Sequence, residues 1–229
     1  MDCSKVIAYK LDMPEALNTS FKQRWVTFRR QMPPERARLV TAAQLKEAGF
    51  QGVEVTRLVE RGQLERVERG IYALPSAGGA ASSHAERLAE VQLRFPKTVA
   101  CLESAASLLH LTTAEPLEVD LALPRNVGRT PRAGNVHFHW MTDEVYRHGQ
   151  TTDISTGTPI RTFDAAKTVA DFCARRHKLG RGTYLAILKA YLAHGGPGGT
   201  PGATSPLLAA ARVCRVEKIV RADLAVLRA

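Results

Sequence analysis

The chain lacks most of what would announce a membrane, a metal or a reaction. No apolar run of about eighteen or more residues occurs in its 229, so no segment reads as a bilayer-spanning helix. The opening stretch MDCSKVIAYKLDMPE carries acidic residues and no apolar core, which argues against a secretory leader. The expectation is a cytoplasmic protein with no membrane partner. Only four cysteines occur, Cys3, Cys101, Cys173 and Cys214, and no two have the spacing of a zinc knuckle or a redox dithiol. The last three sit in apolar stretches and read as reduced packing residues, with Cys3 exposed. Aromatics are scarce at 6%, yet an apolar fraction of 45% still allows a buried core. There is no Gly-rich phosphate loop, no Ser-His-Asp arrangement and no internal repeat. No catalytic residue, metal ligand or cofactor is therefore assigned.

What is present in excess is positive charge: 32 Lys+Arg against 22 Asp+Glu, a formal +10. An excess of this size suits DNA, RNA or an acidic protein. Between residues 22 and 38, Lys22, Arg24, Arg29, Arg30, Arg36 and Arg38 face the single Glu35. Most charge runs are solvated helical faces, but this one leads directly into a recognisable motif. Arg29, Arg30, Arg36 and Arg38 are accordingly candidate contacts to a nucleic-acid backbone.

That motif begins after a basic N-terminal arm or helix, residues 1–35. Leu17, Phe21, Trp25 and Phe28 predict one apolar helical face from Pro14 to about Gln31, ended by Pro33 and Pro34. In residues 36–75 the order helix, tight turn, helix, hairpin is that of a winged helix-turn-helix. Thr41 is the N-cap of TAAQLKEAG, Gln44 completes a capping box, and Gly49 closes the helix. QGVEVTRLVERG is the second helix, with Val55, Leu58 and Val59 turned inward. LERVERGIYALP is the hairpin, turning at Gly70. A recognition helix must be apolar on one side and polar on the other to enter a major groove about 12 Å wide. Arg57 suits bidentate contact with guanine, and Thr56 and Gln51 suit a base edge or phosphate. Arg61, Arg66 and Arg69 suit phosphate or minor-groove contact, and Thr41 a phosphate at a helix start. Glu54 or Glu60 can accept from cytosine N4, though solvent is the plainer destination. The same fold used only for protein contact is the bland alternative, disfavoured by the basic run and the wing arginines.

SAGGAASS reads as a linker over 76–83. Beyond it, residues 84–229 mix helices and strands. Helices are expected over His84–Arg94, Leu102–Leu111, Ala165–Arg176 and Thr183–Ala193, with a last helix from about Leu207 to Leu227. LEVDLALP, NVHFHWMT and TPIRTFD are strand-like, the first as an exposed-edge or half-buried strand. The fold class is α+β: an N-terminal winged helix-turn-helix, then a mixed α/β domain with a small sheet and C-terminal helices.

The stretch LVERGQLERVERGIYALP resembles the end of the winged-helix domain of AbiEi-family antitoxins, the transcriptional regulators of type IV toxin–antitoxin systems. CLESAASLLHLTTAEPLEVDLALP, AAKTVADFCARRHKLGRGTYLAILKAYL and ARVCRVEKIVRADLAVL are similar to that family's antitoxin domain, so the resemblance runs over about residues 36–229. It implies a phage-defence regulator that binds inverted repeats in its own promoter as double-stranded DNA and represses the operon, with a homodimer on DNA as one arrangement. It also implies a cognate AbiEii-like nucleotidyltransferase toxin, counteracted by the C-terminal domain directly or indirectly. Two departures stand out: the acid of Leu102-Glu103 where the family commonly has an apolar residue, and the long Gly195–Pro206 insertion.

Other constellations have plainer readings. His137 and His139 share a strand face that can grip a metal, but no third ligand is near in sequence, so a surface pair beside Trp140 is the expectation. Glu118 and Asp120 invite a nuclease reading, but no acid-x-lysine step follows, and alternating charge on an exposed strand accounts for them. His110 reads as a hydrogen-bonded packing residue. Lys167 and Asp171 are spaced as an i,i+4 pair worth a few tenths of a kcal/mol. Arg175, Arg176, Lys178 and Arg181 read first as a helix end, and otherwise as a patch for a toxin or a tRNA-like ligand, or as a second DNA-facing surface. The alternatives to an antitoxin are a nucleic-acid-targeted enzyme (a nuclease or nucleotide-modifying protein) and a stand-alone regulator without a toxin.

Overall fold

Short-range caps and long-range aromatic packing build the first part of the molecule together. The computed structural model describes residues 21–31, 39–74, 83–126, 134–154, 159–197 and 199–228. The chain separates into two units, Met1–Ala80 and Ala81–Ala229. In the first unit helix α1 (Phe21–Gln31) buries Trp25 and Phe28. Cys3, Leu17, Pro33, Pro34, Arg36, Arg38 and residues 76–82 lie outside the described residues. Strand β1 (Leu39–Thr41) runs into helix α2 (Ala42–Glu47). The predicted capping box forms there: the Gln44 amide donates to Thr41 Oγ1 at 3.2 Å, and Thr41 N donates to Gln44 Oε1 at 2.8 Å. Gly49, at φ +84°, turns the chain in a conformation that a side chain would strain.

Helix α3 (Gly52–Glu60) follows, then strands β2 (Glu65–Glu68) and β3 (Ile71–Ala73). Leu64 N donates to Leu58 O, so the hairpin starts directly against the end of α3. The register shifts between Arg66 and Glu68, a bulge that adds twist to the hairpin. β3 also pairs with β1, giving a three-stranded antiparallel sheet in the order β1-β3-β2. The unit's core is aromatic. Trp25 stacks on Phe28 at 5.8 Å, and Phe50 meets Trp25, Phe28 and Phe21 edge-on at 5.9, 5.7 and 6.2 Å. Val40, Leu45, Leu58 and Leu64 complete it. Thus α1 packs as an integral helix of this unit.

The second unit contains helix α4 (His84–Arg94), strand β4 (Val99–Ala100), helix α5 (Leu102–Leu108) and strands β5 (Val119–Pro124) and β6 (Val136–Met141). Helix α6 (Asp143–Arg147) and strands β7 (Gln150–Asp153) and β8 (Ile160–Phe163) come next. Then follow helices α7 (Ala165–Ala174), α8 (Arg176–Leu179), α9 (Arg181–His194), α10 (Thr204–Val213) and α11 (Glu217–Arg228). The mixed five-stranded sheet has the order β6-β5-β4-β8-β7, with β5 parallel to β6 and β4 parallel to β8. The fold is α+β. β5 lies inside the sheet and not at its edge, because its two sides pair with β4 and β6. The single last helix expected over 207–227 is two: Arg215, at φ +60°, breaks it and Val216 is buried at the corner.

The core of this unit gathers around α7, which packs against α5, α9 and α10. Lys167 and Asp171 correct the expectation of a marginal helix pair. Lys167 Nζ donates to both Asp171 oxygens at 2.6 Å, with 0% and 5% of the two side chains exposed. The ammonium also lies over the Phe163 ring at 4.1 Å. Cys214 Sγ contacts Asp171 Oδ1 at 3.5 Å, and burial, reinforced by that carboxylate, pushes its thiol up to about 12. Cys101 and Cys173 are buried free thiols. His110 is exposed and in the left-handed region at φ +56°, following the end of α5, so it does not pack.

The glycine- and proline-rich segment after α9 is drawn tight. Gly195 N and Gly202 N both donate to Tyr191 O at 2.8 Å, and Tyr191 Oη donates to Ala203 O at 2.7 Å. A Cβ on Gly202 would lie 2.4 Å from the Tyr191 ring.

Candidate nucleic-acid interface

Helix α3 divides cleanly. Val55 and Leu58 are buried and Val59 is partly so, while Val53, Thr56, Arg57 and Glu60 are exposed at helical spacing along the opposite face. Val53, 66% exposed, is a methyl-bearing residue on that face, which attention to the inward side of the pattern overlooked. Thr56 Oγ1 donates to Gly52 O at 3.1 Å. Gln51 is the N-cap, and its backbone amide donates to Glu54 Oε2 at 2.9 Å.

Glu54 is not free to face solvent or a base. Its other oxygen pairs with Arg24 of α1, with side-chain exposures of 32% and 18% for the two partners. Arg24 also donates to Gly49 O at 3.3 Å and lies over the Phe50 ring at 5.7 Å. A basic residue counted with the polyanion-binding run therefore braces α1 against the turn and the start of α3. Nothing local distinguishes Arg24 from Arg29 or Arg30; only its register with Trp25 and Phe28 on the packed side hints at it.

Arg57, Arg66 and Arg69 are exposed and have no side-chain partner among the described residues, and Arg29 and Arg30 likewise stand exposed at the end of α1. Arg61, at the end of α3, lies over the Phe21 ring at 5.9 Å. Thr41's hydroxyl is engaged by Gln44, so its place is the helix cap.

The basic cluster of the second unit separates into unlike parts. Arg176 donates to Cys173 O at 3.0 Å, at the end of α7, and Arg181 pairs with Asp223 at 2.6 Å. Arg175 and Lys178 instead line an open cleft of about 1000 Å³ together with Glu118, Asp120, His137 and His139. The surface pair and the exposed strand face are one cluster. His139 Nε2 lies 2.6 Å from Asp120 Oδ1 and His137 Nε2 lies 3.2 Å from Glu118 Oε2. Only His137 and Glu118 are well exposed; His139 and Asp120 are largely covered. Among the described residues no three His, Cys, Asp or Glu side chains are set to hold a metal ion. Behind this wall the buried His84 Nε2 meets Ser104 Oγ at 2.9 Å, and Asp120 N donates to the same oxygen at 2.8 Å. Burial, and then the Arg87 guanidinium, hold the His84 imidazole below its ordinary range. At the start of α11, hydrogen bonds from Arg212 and Arg221 lower the half-buried Glu217 carboxyl to about 2.

Residues 34–75 match the family model described as "Transcriptional regulator, AbiEi antitoxin". The matched stretch spans β1 to β3 with α2 and α3, the elements carrying the exposed helical face and the hairpin arginines. The crystal structure of the RV2827C protein from Mycobacterium tuberculosis is similar at 17% identity and a TM-score of 0.49, over 90% of this chain and 81% of that one. The search of curated proteins found no match. Among the described residues no helix is long and apolar enough to cross a membrane.

Proposed function

We propose, from the match of residues 34–75 to AbiEi antitoxin regulators, that the chain is a DNA-binding antitoxin that represses its own toxin–antitoxin operon. Helix α3 enters a major groove. Arg57 addresses guanine, Thr56 and Gln51 address a base edge or phosphate, and Arg61, Arg66 and Arg69 address the flanking backbone or minor groove. Arg29, Arg30, Arg36 and Arg38 add backbone contacts, and Thr41 fixes the start of α2. The observation that carries the proposal is the face of α3 holding Val53, Thr56, Arg57 and Glu60 in solvent, with exposed arginines on the hairpin that follows. Inverted repeats in the promoter would seat two copies, with half-sites about 10 base pairs apart or a multiple of that. The second unit counteracts a nucleotidyltransferase-like toxin encoded beside it, directly or indirectly, and the chain needs no catalysis of its own.

A salt series of mobility shifts on the protein's own promoter tests this. Each phosphate neutralised contributes about −0.9 to the slope of log affinity against log salt, so several arginine contacts give a steep fall. Equal affinity for promoter and random duplexes, or a flat response, would overturn the repressor assignment.

A further inference from the structure

The cleft of the second unit lies outside the matched residues 34–75, and its lining carries charges of both signs. One wall is β5 and β6, paired in parallel with Asp120 opposite His137. It carries the carboxylates of Glu118 and Asp120, each held by an imidazole. Another part of the lining, from the corner between α7 and α8, supplies Arg175 and Lys178. Neither cation has a side-chain partner among the described residues, although carboxylates line the same cleft. A concave lining that holds three carboxylates, Glu103, Glu118 and Asp120, and two cations without a side-chain partner among the described residues suits a ligand with both hydrogen-bond donors and an anionic group.

The backbone supports a built site. Leu102 and Asn135 both line the cleft and both adopt left-handed conformations, at φ +47° and φ +56°. Asparagine adopts this conformation readily, whereas for a bulky residue such as Leu102 it carries strain, of the kind that gathers at ligand sites. The buried contact of His84 with Ser104, and of Ser104 with the Asp120 amide, braces the carboxylate wall from behind.

We infer that this cleft binds a ribonucleotide. Arg175 and Lys178 take the phosphate. The exposed Glu118 accepts from a ribose hydroxyl, as an acidic residue does in dinucleotide sites. Leu117 and Leu179 give the base an apolar cover. The ribonucleotide is either free or the terminal nucleotide of an RNA.

Calorimetric titration of the full chain with the four ribonucleoside 5′-monophosphates, their 2′-deoxy counterparts, the nucleosides and a short single-stranded RNA is the experiment. At least one ribonucleotide binds, more tightly than its deoxy form and its nucleoside. Lys178→Ala, on an exposed residue, weakens phosphate-bearing ligands by about tenfold and leaves the nucleoside unchanged. Glu118→Gln removes the preference for ribose over deoxyribose. Binding of the RNA but of no mononucleotide, sensitive to Lys178→Ala and not competed by promoter duplex, places the source at an RNA end. Thermal melting shows that each variant remains folded, and unchanged promoter binding by both separates this site from the first unit. Absence of binding by every ribonucleotide and the RNA at millimolar concentration, or parental affinities in both variants, overturns the inference.

Discussion

The hairpin and recognition helix of the first unit handle positive charge differently from the helical core of the second. In the first, Arg57, Arg66 and Arg69 stand exposed and without a partner among the described residues, and Arg24 is the exception, engaged with Glu54. In the second, Lys167 is sealed against Asp171, Arg176 donates to Cys173 O, Arg181 pairs with Asp223, and Arg212 and Arg221 share Glu217. A formal charge of +10 counts all of these alike. Only unpaired cations are available to a polyanion without first breaking an internal contact: Arg57, Arg66 and Arg69 in the first unit, and Arg175 and Lys178 at the cleft of the second.

The sharpest break of this contrast is Lys167→Ala. It strands the Asp171 carboxylate in the core and should cost about 3–5 kcal/mol of unfolding free energy. Lys167→Met combined with Asp171→Leu should recover most of that loss, since neither charge is then buried alone. Chemical denaturation measures both; a loss below about 1 kcal/mol for Lys167→Ala would show that the pair is hydrated and the contrast false.

On the opposite side, Arg57→Ala should leave stability within about 0.5 kcal/mol while costing about 1–3 kcal/mol of promoter binding and relaxing preference at one base position. Arg69→Ala should weaken all duplexes alike. Undiminished discrimination by Arg57→Ala would mean that another face of α3 meets the DNA.

The smallest expected effect is a pH dependence. His84 resists protonation in the folded state, by burial and by Arg87, more than in the unfolded chain. Below its ordinary value of 6.5 the unfolded chain therefore binds more protons, and the stability of the second unit falls as the pH drops through that region. His84→Gln should flatten the melting temperature between neutral pH and mildly acidic pH; an unchanged slope would place the acid sensitivity elsewhere.

What could be seen in the sequence was whatever is local. The capping box of Thr41 and Gln44, the turn at Gly49 and the two-sided pattern of α3 depend on neighbours within a turn or two, and they can be read directly. β1, β4 and β7 span two to four residues each, too short to show a period, and exist because a partner strand supplies their hydrogen bonds. The same limit hid the cleft. His137, Asp120 and Arg175 are unremarkable one at a time; parallel register and the α7–α8 corner bring them to one surface. Burial of Lys167 was equally invisible, because an i,i+4 spacing is the same on a wet helix face and a dry one.

The segment after α9 has a practical consequence for anyone cutting or lengthening this chain. Glycine and proline usually mark slack, yet here Gly195 and Gly202 both return to the Tyr191 carbonyl, making a clasp of fixed circumference. New chain ends placed between Thr200 and Gly202 would open that clasp and release the start of α10.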